Sequence, residues 1–448
     1  MTQRTTRSAT ALAIGASLLF ASIQVSAAST RSVARTAPTY AFGVNSYIAD
    51  HCEDPATWAA RANKEVSDFK SLGANSIAFV FPLYTDSITS NNIYAKSVCG
   101  SKFVSPSPAN LAVLISVAHT AGLHVLLRPS LDEASLKAQK SSYWKGVIAP
   151  TNIDLWFTNY ITTLTPYLKM AQSNHVEDFA ISTELSSLAH KSNWSAAISK
   201  AKSLFKGKLS FTASWAKTGN MTQWPNTQLG VDTYRPILTA SSTWSPAQLL
   251  AGWDAVLKTI PILSISNTTI DEVGIAAQTG AYQIPAAGYF PISVYPFNQT
   301  IQVNWITTAC AFMKEHQMKG IYFWGPLLAV NGGGLLTSPN PNQSGNLQPQ
   351  TQTAIKNCFG VGKAPALSSL SPTNGKVAGG TAVTITGANF IGTFDVTFGG
   401  ISASSFTVVS STKIIAIAPK HPSGKIQVTV QSGAGKNPTS SKGLFTFH

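Results

Sequence analysis

Eight short apolar runs, set between stretches of helical periodicity, constrain this chain more than any other feature. They are Tyr40–Tyr47, Asn75–Tyr84, Leu123–Asp132, Asp178–Leu185, Lys208–Trp215, Leu229–Pro236, Thr269–Ala276 and Lys319–Gly325. Between them lie amphipathic segments such as TNIDLWFTNYITTLTPYLKMAQ and SPAQLLAGWDAVLKTI. Apolar strands alternating with helices imply a parallel sheet covered on both faces. Three helical segments open with a capping residue and a proline: Asp54-Pro55, Ser107-Pro108 and Ser245-Pro246. The cap's side-chain oxygen takes free amides of the first turn, and proline presets the first helical φ. Eight such units fit a (β/α)8 TIM barrel better than a doubly wound sheet, which would carry a glycine-rich phosphate loop after its first strand. No GxGxxG or Walker-type run stands there.

The ends of the chain read differently. Arg4 and Arg7 precede an apolar stretch from Ala9 to about Val25 and a small-residue site at Val25-Ser26-Ala27. This predicts a signal peptide over residues 1–28, followed by a Ser/Thr/Ala-rich spacer over 29–39 and a secreted, extracellular product. The barrel is expected over 40–360 and a linker over 361–366. From 367 to 448 the helical period is lost. Short β-branched strands split by Gly, Asn, Pro and Ser turns (TAVTITGANF, FDVTFGG, SFTVVSS, KIIAIAP, KIQVTVQS) predict a small all-β sandwich.

Export makes disulfides the expected state of Cys52, Cys99, Cys310 and Cys358, which show no metal-type spacing. Three pairings are open, and proximity favours Cys52–Cys99 with Cys310–Cys358. The net charge is +14, but only 11% of residues are charged and the lysines are scattered. Nucleic-acid binding would want clustered Arg and Lys with interleaved aromatics, so the bias allows weak contact with anionic walls or matrices at most. The eight histidines have no ligand spacing, and neither HExxH nor a nucleophile elbow occurs. The expectation is therefore a monomer with no metal, no cofactor and no membrane contact after signal cleavage.

Two carboxylates stand out. Glu184 ends the fourth run (DFAISTEL) and Glu272 ends the seventh (TIDEVG). Catalytic groups of such barrels come from the C-terminal ends of different strands, and paired carboxyls are the minimum equipment for glycoside hydrolysis. A surface position just past a strand is the plainer reading of each. Asp271 is the rival of Glu272, since adjacent strand residues are expected on opposite faces. Other strand-end groups are Asn45, Arg128, Asp132, Trp215, Tyr234 and Trp324. Trp144 and Trp156 read as packing a loop and a helix.

The blocks HVLLRPSLDE, YWKGVIAP, DFAISTELSSL, GVDTYRPI, IDEVGIAA and GIYFWG, in this order from about Tyr40 to Cys358, resemble glycoside hydrolase family 113, best known for β-1,4-mannanases. SISNTTIDEVG departs from the family by being polar before its glutamate. The segment LSSLSPTNGKVAGGTAVTITGANF, with VTFGG and IIAIAP, resembles the IPT/TIG immunoglobulin-like domain. The first resemblance implies a retaining endo-hydrolase with Glu184 as acid/base and Glu272 as nucleophile. An ionised Glu272 would favour the protonated form of Glu184. It also implies Trp324 as the platform under the reacting sugar, with Trp215 and Tyr234 as further platforms. Arg128, Asp132 and Asn45 would serve as hydroxyl or carboxyl partners. The substrate would be a β-1,4-linked polysaccharide such as mannan, with a β-glucan or another hexan as rival. A non-catalytic carbohydrate-binding surface protein is the alternative from another class. The C-terminal module would be a spacer or an attachment to wall or substrate.

Overall fold

The computed structural model describes residues 40–48, 53–98, 104–215, 224–259, 265–285, 296–328 and 347–448. The expected signal peptide and spacer, together with Cys52 and Cys99, lie outside the described residues. The first half of the barrel runs β1 (Ala41–Ile48), α1 (Pro55–Ser71), β2 (Ser76–Leu83), α2 (Pro108–Thr120), β3 (His124–Leu131), α3 (Glu133–Gln139), α4 (Ile153–Ser173) and β4 (Asp178–Thr183). The second half runs α5 (Asn193–Leu204), β5 (Lys208–Ser214), β6 (Thr227–Asp232), α6 (Pro246–Leu257), β7 (Thr269–Val273), α7 (Gln299–Glu315), β8 (Gly320–Leu328) and α8 (Pro349–Cys358). The strands close into a barrel in chain order, with β8 returning to β1. All eight expected strands are present.

The capping residues act as their chemistry requires. Asp54 accepts from the amides of Ala56 and Thr57 at 2.9 and 3.0 Å, and Ser107 from that of Asn110 at 3.1 Å. In α1 the buried positions Trp58, Ala62, Glu65, Val66 and Phe69 follow the i, i+4, i+7 stripe that faces the sheet. Outward strand residues such as Phe79, Leu127, Ile181 and Phe211 join the helices in one large core. A separate small cluster of Ala78, Leu126, Ala180 and Tyr322 fills the lumen. There Gly43 is required, because any side chain at that position would run into the Tyr322 ring. Cys310 and Cys358 are disulfide-bonded and tie α7 to α8, with Cα atoms 5.7 Å apart.

β7 is shorter than expected. The polar run before it forms a turn at Ile265–Asn267, and the strand proper spans five residues. Its pairing slips on both sides, between Val231 and Asp232 on β6 and between Ile270 and Val273 toward β8.

The C-terminal residues form β9 (Ala366–Ser371), β10 (Asn374–Gly375), β11 (Ala382–Ala388), β12 (Thr393–Phe398), β13 (Ile401–Ser402), β14 (Ser405–Ser410), β15 (Lys413–Ile417), β16 (Gly424–Ser432), β17 (Gly435–Lys436) and β18 (Leu444–Phe447). One sheet runs β14-β15-β11-β9 and the other β10-β18-β16-β12-β13, with β17 paired to β16. Their inner faces share a core of Val383, Ile385, Val396, Phe398, Val430 and Phe445. This sandwich is docked on the barrel rather than held off by a spacer. Ile391 is buried in the barrel's own core, Asn357 Nδ2 donates to the Ile391 carbonyl, and Lys314 Nζ donates to that of Gly433 at 3.0 Å.

Candidate active site

The two glutamates sit where strands stop. Glu184 follows β4 immediately and holds a left-handed backbone with φ of 55°. For a residue with a Cβ this conformation is unfavourable, at a cost of roughly 1–2 kcal/mol. It is pinned from both sides: the Glu184 amide donates to the Thr212 carbonyl at 2.9 Å, and its own carbonyl accepts from the Ser186 amide at 2.8 Å. The turn ends the strand abruptly and leaves the carboxylate lining the barrel mouth.

Glu272 reaches the mouth by another device. The slip in β7 gives this strand one more residue than its neighbour, and such bulges re-aim side chains. As a result Asp271 and Glu272 both turn into the barrel, and the expectation that they occupy opposite faces is corrected. Asp271 lies deeper. Thr212 Oγ1 donates to its Oδ2 at 2.6 Å, and a side chain at Gly230 would collide with it. Burial pushes the Asp271 carboxyl up, while Arg128 and the Thr212 hydroxyl pull it down. Glu272 sits higher, accepting from Tyr234 Oη at 2.8 Å and from Arg128 Nη1 at 3.1 Å.

Arg128 is fully buried and organises this half of the site. Its Nη2 donates to both oxygens of Asp232 at 2.8 Å, a buried, charge-assisted pair that compensates the guanidinium. Its Nη1 donates to Asn45 Oδ1 at 2.9 Å, to the Asp271 carbonyl at 3.0 Å and to Glu272. Asn45 Nδ2 donates to the same Asp271 carbonyl at 2.9 Å. The bulge takes that carbonyl out of the sheet ladder, and two side chains satisfy it instead. Asn45 is therefore a buried brace between β1 and β7. Burial pushes the Glu272 carboxyl above its ordinary value, with Arg128 and Lys145 pulling against it and Glu184 adding to the rise.

A cleft of about 540 Å³ opens over these groups. Glu184, Glu272, Tyr234, Trp324, Asp132 and Tyr47 line it, with Lys145, Glu133, Trp144 and Ser214. Trp324 comes close over Gly274: a Cβ there would lie 2.8 Å from the Trp324 Cβ, which gives the glycine of DEVG its reason. Asp132 accepts the Ser135 amide at 2.8 Å as the cap of α3 and is hydrogen-bonded to Tyr47.

One aromatic expectation changes and another is extended. Trp215 does not face the mouth: it is buried against Trp253 and Phe312, with ring centroids 5.7 and 5.4 Å away. On β5, Thr212 and Ser214 point inward, so the next residue must point out toward the helices. Trp144 packs its loop as expected, its ring lying against Gly146, but it also lines the cleft, whereas Trp156 is stacked on Tyr160 as a core residue. Three charged groups escaped sequence reasoning. Asp232 could have been found from the inward alternation of β6. Lys145 and Glu133 stand in irregular or short helical segments with no period to betray them, although Lys145 lies inside the block YWKGVIAP. Lys145 Nζ is 3.0 Å from Glu184 Oε2, 3.1 Å from Ser130 Oγ and 3.7 Å from Glu133 Oε1.

Residues 51–326 match the family model described as Glycoside Hydrolase Family 113, and residues 365–447 match the IPT/TIG domain. Among solved structures, a complex of a GH113 beta-1,4-mannanase is 15% identical with a TM-score of 0.56, covering 72% of this chain and 99% of its own. The GH113 beta-mannanase from Alicyclobacillus acidocaldarius in complex with ManMIm is 16% identical with a TM-score of 0.56, covering 72% of this chain and 97% of its own. At this identity the likeness is one of fold. No curated protein matches the chain.

Proposed function

The chain belongs to glycoside hydrolase family 113, and from that premise we propose that it is a retaining endo-hydrolase of β-1,4-mannan. The observation that carries the assignment of roles is the unequal setting of two glutamates in one cleft. Both oxygens of Glu272 are taken, one by Tyr234 and one by Arg128. That arrangement suits a nucleophile that must stay ionised and aimed. Glu184 meets a single cation, Lys145, on a flexible stem. That arrangement suits a group that must change protonation state twice per turnover.

In the first step a Glu272 oxygen attacks the anomeric carbon as its bond to the glycosidic oxygen breaks. Glu184 gives its proton to the departing oxygen, leaving a glycosyl ester on Glu272. In the second step Glu184, now a carboxylate, takes a proton from water. The resulting hydroxide attacks the same carbon, and Glu272 leaves as a carboxylate. Trp324 provides a flat apolar surface for the sugar beside these groups. The choice of mannan is supported by the solved relatives, which are described as beta-1,4-mannanases. The signal-peptide reading of residues 1–28 supports export as part of this proposal, and the sandwich would serve as a spacer or attachment module.

Reducing-sugar release from mannan, glucomannan, cellulose and xylan tests the substrate, with mannan expected first and cellulose as the outcome that moves the reading to a β-glucan. Azide tests the roles. It should rescue Glu272→Ala with an α-azide product and Glu184→Ala with a β-azide. Proton NMR of the first product should show the β anomer; an initial α anomer would overturn the retaining assignment.

A further inference from the structure

Each glutamate of the pair has its own cation, but the two cations are held very differently. Arg128 makes hydrogen bonds to Asn45, Asp232, Glu272 and the Asp271 carbonyl and has nowhere to go. Lys145 is also buried, yet it stands between two carboxylates, Glu184 at 3.0 Å and Glu133 at 3.7 Å, with Ser130 as a neutral third contact. Glu133 has a second cation of its own, Lys137 at 2.8 Å, so it can share Lys145 or release it without becoming unpaired. We propose that Lys145 is a positioning residue that follows the charge of Glu184, leaning on Glu133 while Glu184 holds its proton and closing onto Glu184 once that proton has been given away.

The inference rests on the retaining reading, in which Glu184 alternates between acid and base. A neutral Glu184 offers an ammonium little, so the lysine then gains more from Glu133. When the glycosidic bond breaks, negative charge develops on Glu184. A desolvated ammonium already within reach stabilises that charge without drawing on solvent. The charged groups around Lys145 are Glu184, Glu133, Glu272 and Asp232. Burial alone would strip the ammonium of its proton, but these carboxylates hold it charged well above the ordinary lysine value. Glu184 in turn lies within the fields of Lys145, Arg128, Glu272, Asp232 and Tyr234.

The test compares the pH profiles of kcat/KM for the full chain and two variants on a mannooligosaccharide. Lys145→Met removes the cation at nearly constant volume. Its alkaline limb should move up by about one pH unit or more, because a neighbouring charge within about 4–6 Å acts on that scale. Glu133→Gln removes the competing carboxylate and leaves Lys145 on Glu184, so its alkaline limb should move down. Lys145→Met should also lose less rate on an aryl glycoside whose leaving group needs no proton than on the oligosaccharide. Opposite shifts of the two variants support the proposal. Equal losses at every pH, or limbs that stay in place while far-UV circular dichroism reports folded protein, overturn it. The anomer released by the wild-type enzyme is measured in the same series. An α product removes the retaining reading itself, whereas a β product with unmoved limbs removes only the role of Lys145.

Discussion

Arg128 and Glu65 are both ionisable groups in the protein interior, and they show the two outcomes of burial. Arg128 is matched by Asp232 and Glu272 and stays charged. Glu65 lies on the buried face of α1, and its Oε1 has no hydrogen-bond partner among the described residues. Burial pushes its carboxyl up to about 8 from an ordinary 4.5, against the pull of Ser46. A native-state value above the unfolded one means that the folded chain binds this proton more tightly. The group therefore favours folding least above pH 8, and stability is lost as pH rises from about 4.5 through about 8. Glu65→Gln should raise the melting temperature at pH 8.5 by roughly 4 °C or more and change it little at pH 5; equal melting curves at both pH values would show that Glu65 is not titrating as a buried acid. Glu272 is subject to the same effect of burial. It must be ionised to attack, and burial holds its carboxyl above the ordinary value, so the acidic limb of kcat/KM should lie above pH 4.5. Tyr234 opposes that rise through its hydrogen bond. Tyr234→Phe should therefore move the acidic limb further up and lower kcat by roughly tenfold or more, the scale of a lost bond to a charged group. A limb that stays put or moves down would detach Tyr234 from the nucleophile.

Among the elements, the strands were legible in the sequence and the irregularities within them were not. An apolar run between turn residues has few alternatives in a chain of this length, so all eight strands and the two glutamates at their ends could be placed. The bulge in β7 could not. Nothing in TIDEVG distinguishes a strand that alternates from one that inserts a residue, and the rule of opposite faces consequently failed at Asp271 and Glu272. Trp215 failed for the converse reason: alternation holds on β5, but an aromatic at a strand end was weighed without fixing which neighbours point inward. Lys145 was beyond reach, because its place beside Glu184 depends on how the loop after α3 folds over the mouth. The exit from β7 at Gly274 yields a prediction at this scale. An alanine there would crowd the Trp324 Cβ and displace the ring. If Trp324 carries a sugar, Gly274→Ala should raise KM for a mannooligosaccharide several-fold with the fold preserved by circular dichroism. An unchanged KM would place the sugar elsewhere in the cleft.

At the scale of the whole molecule, the fold separates the chemistry from the added domain. Barrel helices run antiparallel to the strands, so the C-terminal ends of α7 and α8 lie at the end of the barrel opposite the mouth. Lys314 and Asn357, which hold the sandwich, are at those helix ends. Glu184 and Glu272 are at the C-terminal ends of β4 and β7. The sequence predicts a module joined by a linker, but Ile391 of the sandwich is only 6% exposed, belongs to the barrel's core together with α8 residues, and accepts a hydrogen bond from Asn357 of α8. Removing the sandwich uncovers that surface of α8 without touching any group of the cleft. Burying an isoleucine contributes about 1.5–3 kcal/mol, and in a domain of this size 1 kcal/mol corresponds to roughly 2–4 °C. A chain ending at Gly362 should therefore melt at least roughly 3 °C lower, while its kcat/KM on a short soluble oligosaccharide at 25 °C stays within about twofold of the full chain. Ile391→Asp in the full chain should reproduce the lower melting temperature, since a charge cannot be seated in that socket without a partner. A tenfold fall in kcat/KM of a truncated chain that is still folded would mean that the far end of the barrel is coupled to the cleft. An unchanged melting temperature in both variants would mean that the sandwich rests on the barrel without stabilising it.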